Sequence, residues 1–105
     1  MKVTVILNSK GNPPGKLCDA ELHFEDGPLS GLKLQGFSVW ESRGGANRNV
    51  TFPARQYSVN GERRSFALLR PIMDPAAQNG VKAMILEALA EQEEAALHSL
   101  QNARI

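Results

Sequence analysis

Apolar and polar residues alternate from the start of the chain. Val3, Val5 and Leu7 fall on one side of an extended backbone and Thr4 and Ile6 on the other, which predicts a strand over residues 2–7. The pattern stops at Asn8 to Lys16, a polar stretch broken by Gly and Pro that reads as a loop. A second alternation points Ala20, Leu22 and Phe24 inward and Glu21, His23 and Glu25 outward, and Asp26-Gly27-Pro28 closes it with turn chemistry. These two strands are expected to form a hairpin. In the third run, Gly31 to Glu41, Leu32 and Leu34 keep one phase while Phe37 and Val39 keep the other. A bulge at Gly36 restores the common face. After the glycine-rich loop Arg43 to Asn47, Val50 and Phe52 mark a short fourth strand, which Pro53 ends or confines to an edge.

Asn60-Gly61 is the strongest short-range turn signal, because a type I′ turn needs positive φ at both central residues and this pair adopts it cheaply. Tyr57 to Val59 and Phe66 to Leu69 are expected to pair around it. From Asp74-Pro75 the period changes from two to between three and four. Asp74 is the expected N-cap and Pro75 the first helical residue, and Val81, Ile85, Ala88/Leu89, Ala96 and Leu100 trace an apolar stripe, so a helix is predicted to about residue 98. Gly80 weakens its first turns by up to about 1 kcal/mol relative to alanine. Five to six strands followed by one long helix predict an α+β fold, with the helix laid across one face of an antiparallel sheet and residues 1–105 forming a single domain.

Composition narrows the class. With 42% apolar and 22% charged residues the chain can bury a core, which excludes wholesale disorder. No apolar run exceeds five residues, far short of the about 20 that span a bilayer, so no membrane segment or signal peptide is read and a cytoplasmic protein is expected. Cys18 is the single cysteine, and with only His23 and His98 beside it no metal site is expected. The formal charge is +1, but residues 43–70 hold six arginines against Glu62 alone, a local net of +5. The flanking segments carry −1 (residues 1–42) and −3 (residues 71–105).

Candidate chemistry is sparse. A nucleophilic enzyme would have to use Cys18 with His23, and residues five apart on a strand point to opposite faces. Glu91, Glu93 and Glu94 read as a solubilising helix face rather than an acid–base pair. Neither Gly44-Gly45 nor Gly11 to Gly15 matches a phosphate-cradling motif, and one Arg43-Gly44-Gly45 triplet says only that its loop is basic. No catalytic residue, cofactor or small-molecule substrate is therefore expected. The arginine block stands apart: Arg43 and Arg48 flank one loop, Arg63 and Arg64 follow the Asn60-Gly61 turn, and Arg55 and Arg70 lie at strand ends. Guanidinium groups displayed together favour bidentate phosphate contacts. Pairing with the acidic helix, of the same chain or of a second subunit, explains the block equally well.

The order of these residues resembles the stage V sporulation protein G (SpoVG) septation-regulator family. Leu34-Gln35-Gly36-Phe37-Ser38-Val39-Trp40-Glu41 is similar to the family's hydrophobic strand. Asn49-Val50-Thr51-Phe52-Pro53-Ala54-Arg55 is similar to its Phe-Val-x-Met-Pro-Ser-Arg stretch, and Arg70-Pro71-Ile72 to its His-Pro-Ile. The departures are Phe52 for Met, Ala54 for Ser, Gln56 for a second basic residue and Arg70 for His. The resemblance implies a small α+β protein that dimerises by joining sheets and binds DNA, in some members RNA, as a bacterial regulator. On that basis the expected function is nucleic-acid binding by a homodimer through Arg43, Arg48, Arg55, Arg63, Arg64 and Arg70. The alternative is a protein-interaction module whose basic loops bind an acidic protein partner.

Overall fold

A computed structural model describes residues 1–102, with side chains as far as Ser99. Strand β1 (Lys2–Leu7) pairs antiparallel with β2 (Lys16–His23), β2 with β3 (Lys33–Glu41), and β3 with β4 (Arg48–Thr51). The result is a four-stranded meander in the order β1-β2-β3-β4. Alternation decides which face is covered. Cys18, Ala20, Leu22, Phe37, Val39 and Val50 are buried on one side, under Ile85 and Leu89 of the long helix α1 (Ala77–Asn102). Each large apolar side chain so buried contributes on the order of 1.5–3 kcal/mol. The opposite face is polar, as befits an antiparallel sheet covered on one side only. Its side chains pair with each other: Lys16 with Asp19 at 2.6 Å, Lys33 with Glu21 at 3.2 Å, and Ser38 Oγ donating to Asp19 at 3.0 Å.

The bulge falls where the phase slip placed it. Ala20 lies opposite Phe37 and Glu21 opposite Gln35, so Gly36 is the extra residue and returns Phe37 and Val39 to the core. Its φ of +110° is one that a residue with a Cβ resists. A second irregularity in the same ladder lies between Lys16 and Cys18.

Three expectations need correction. The sheet does not contain all the strands: β5 (Ala54–Val59) and β6 (Glu62–Ala67) form a separate two-stranded sheet. Pro53 turns the chain out of β4, and because it lacks an N–H it cannot continue a ladder there. Within that hairpin Tyr57 to Val59 pair with Glu62 to Arg64 rather than with Phe66 to Leu69, since a two-residue turn at Asn60 (φ 51°) and Gly61 (φ 82°) sets Val59 opposite Glu62. The helix is also displaced from its expected limits. Asp74 Oδ1 accepts from the Ala76 N–H at 2.9 Å, but the next bonds span three residues, so a tight turn precedes the regular helix at Ala77.

Helix α1 continues to Asn102, and its 26 residues extend about 39 Å. Four strands at about 4.8 Å spacing are narrower than that. Ala96 and Leu97 are accordingly exposed, while Leu100, the last expected member of the stripe, lies outside the described side chains. The β5–β6 hairpin makes little contact with the four-stranded sheet or the helix. The radius of gyration is 16.3 Å, against about 13 Å for a compact chain of this length. The hairpin is an arm.

Candidate nucleic-acid interface

The arm is rooted where β4 ends. Phe52 stays with the core, its ring edge-on to Phe37 at 5.2 Å, and the Leu68 N–H donates to the Pro53 carbonyl at 2.9 Å to close the first rung. Beyond this root every residue of β5 is exposed, and all of β6 except Ala67. Directly opposed residues share a face of an antiparallel pair. One face therefore carries Arg55 opposite Phe66, Tyr57 opposite Arg64, and Val59 opposite Glu62. The other carries Ala54 opposite Ala67, Gln56 opposite Ser65, and Ser58 opposite Arg63.

Three of the six arginines expected in the basic surface thus lie on the arm, two on its aromatic face and Arg63 on the reverse. Arg64 Nη2 reaches Glu62 at 3.1 Å, an exposed neighbour pair on the same strand. Among the described residues Arg43, Arg55, Arg63 and Arg70 have no carboxylate partner. Arg70 follows β6 and lines a small apolar cleft of about 140 Å³ at the arm's root, with Phe52, Leu69 and Val81. Arg43 opens the one-turn 3₁₀ helix Arg43–Gly45 between β3 and β4, at the other end of β4 from the arm. Arg48 is occupied: its guanidinium holds the Glu93 carboxylate of α1 through two bonds, of 2.7 and 2.8 Å. The hydrogen bonds that Arg48 donates to Glu93 raise the Arg48 pKa, and the same bonds hold Glu93 below its ordinary value against the opposing effect of burial.

The remaining candidate chemistry resolves simply. Cys18 is fully buried on the helix face, and burial, then the charge of Asp19, push its thiol pKa up. His23 lies on the opposite face, 3.0 Å from Glu21, whose carboxyl is held below its ordinary range first by that bond and then by Lys33. The two cannot form a thiolate–imidazole pair. Among the described residues no three His, Cys, Asp or Glu side chains gather as metal ligands, and no helix is long and apolar enough to cross a membrane.

Tyr57 and Phe66 were not among the residues that the sequence singled out. Their rings lie 5.7 Å apart, tilted at 55°, and their residues remain 41% and 44% exposed. Counting outward from Asn60-Gly61 in pairs would have placed them beside Arg55 and Arg64. Comparison with models of known families, with curated proteins and with solved structures finds no match to this chain.

Proposed function

We propose that this chain is a non-enzymatic regulator that binds nucleic acid as a homodimer, with the arginines of the β5–β6 arm as its phosphate contacts. The observation that carries the reading is the arm itself: Arg55, Arg63 and Arg64 on a projecting two-stranded ribbon, with only Glu62 to offset them. A narrow basic ribbon can approach a polyanion without desolvating the rest of the molecule, and each phosphate contact releases counterions. Two further features support a dimer. A lone two-stranded hairpin is marginal in water, and this one has two open edges at which a second arm can add its strands. Ile72 and Met73, just past the arm, are 98% and 92% exposed, an expensive arrangement for a chain that works alone.

A second reading has its own observation. Arg48 already finds a helix carboxylate in Glu93, while Glu87, Glu91 and Glu94 remain exposed, so the arm's arginines would suit an acidic protein surface, including α1 of a second copy. Binding of single- and double-stranded DNA and RNA at two salt concentrations, with light scattering on the same samples, separates the readings. Nucleic-acid affinity that falls steeply with salt, on a particle of twice the chain mass, is the expected result. A monomer with no affinity for any of the four probes at about 50 mM salt overturns the proposal.

A further inference from the structure

We infer that the arm takes single-stranded nucleic acid, stacking unpaired bases on Tyr57 and Phe66 while Arg55 and Arg64 hold the adjoining phosphates. The inference rests on the arm being a nucleic-acid surface, and it names the class of substrate. Its starting point is the composition of one face. In the register of the hairpin Arg55 faces Phe66 and Tyr57 faces Arg64, so two cations and two aromatic rings alternate in a two-by-two patch. Both rings stay more than two-fifths exposed, and among the described residues no other element makes more than slight contact with the arm. Aromatic faces interleaved with guanidinium groups form the stacking platform on which proteins bind single strands without reading their sequence.

Base faces decide between strand and duplex. In a duplex they are stacked on one another, so the rings would meet only groove edges and sugar. In a single strand they are free. The ring centroids are 5.7 Å apart, wider than the about 3.4 Å rise of stacked bases, so two neighbouring bases must be splayed to use both rings. An unpaired strand can do so. The reverse face of the arm, with Gln56, Ser58, Arg63 and Ser65, offers hydrogen bonds and charge but no ring. That face is the one a duplex groove would select, and it gives the rival reading a separate set of residues.

The test uses the full chain with a single strand of about 12 nucleotides and the matching duplex. Tyr57→Leu combined with Phe66→Leu keeps apolar side chains in the cross-strand positions and removes the π faces. The wild type is expected to bind the single strand at least about tenfold more tightly than the duplex, and the double variant to lose about tenfold or more of that affinity with its salt slope unchanged. Tyr57 is the single tyrosine of the chain, so 3-fluorotyrosine labelling of the wild type gives one fluorine resonance. It should move on adding the single strand and stay still on adding the duplex, a readout that survives even if the variant does not fold.

Equal affinity for both probes, or a leucine variant that folds and binds like the wild type, overturns the stacking inference and leaves the arginine reading standing. A variant that loses its dimer mass along with binding assigns the rings to a second copy and likewise overturns it. Failure of the wild type to bind either probe at low salt removes the parent reading.

Discussion

Arg48 and Glu93 are 45 residues apart in the sequence and joined by two parallel hydrogen bonds, Nη1 to Oε1 at 2.7 Å and Nη2 to Oε2 at 2.8 Å. The pair ties the outermost strand β4 to the helix that crosses the sheet. Because the two side chains are 36% and 42% exposed, water screens them, and the pair is worth at most about 1 kcal/mol. Glu93 titrates below its ordinary value of 4.5 when folded. Its contribution is therefore fully present above the unfolded-state value and disappears as pH falls through the folded one. Glu93→Gln should lower stability by less than about 1 kcal/mol at neutral pH, and the difference from wild type should close in acid. Urea denaturation across pH measures both; a gap that persists at the acid end would assign the effect to packing.

Gly36 faces a harder constraint. A Cβ at this position would lie 2.9 Å from Pro53 Cβ, at the junction from which the arm departs, and φ is already in the region that side chains resist. Gly36→Val should cost more than about 1 kcal/mol, combining backbone strain with the clash. An unchanged denaturation midpoint would mean that β3 can shed its bulge without losing Phe37 and Val39 from the core.

Removing the arm's charge should act on binding and spare the fold. The variant Arg55→Ala, Arg63→Ala, Arg64→Ala is expected to reduce the magnitude of the log-affinity against log-salt slope by about 2 to 3, with little change in sequence preference. Stability should barely move, because among the described residues only Arg64 of these three has an ion-pair partner, and both members of that pair are exposed. Loss of thermal stability or of the dimer, without any nucleic-acid affinity before or after, would favour arginines that serve a protein interface.

Cys18 offers a clean probe of the core. Burial and the nearby Asp19 charge both disfavour its thiolate, and the thiolate is the reactive form. In native buffer a thiol reagent should therefore modify it only as fast as the sheet opens, and at once in denaturant. Rapid labelling of the native protein would show that β2 separates from the helix far more readily than its packing implies.

Much of the architecture follows from local pattern. The slip from Leu34 to Phe37 locates the bulge because strand alternation has no other way to keep both residues inside. Asn60-Gly61 locates the hairpin because few dipeptides accept its backbone. Steps of four from Val81 through Ile85 and Leu89 orient the helix, but Glu93, which reads with Glu91 and Glu94 as part of a solubilising face, is instead half-buried against Arg48 while the other two acids stay exposed.

What local pattern leaves open is whether an apolar face has anything to cover it. Tyr57, Val59 and Phe66 alternate as core-facing residues do, so the chain alone reads them into the main sheet. Their exposure on a separate arm depends on the direction in which Pro53 sends the backbone and on the width of a sheet already filled by four strands under one helix. The same holds for charge. Six arginines within 28 residues announce a basic segment, but only the folded positions leave Arg48 against Glu93, Arg43 at a distant loop, and Arg55 and Arg64 beside two open rings. The Arg48–Glu93 pairing joins residues 45 apart in sequence, and the exposure of the rings depends on what packs over the arm; both are set by tertiary packing, which no short-range periodicity encodes.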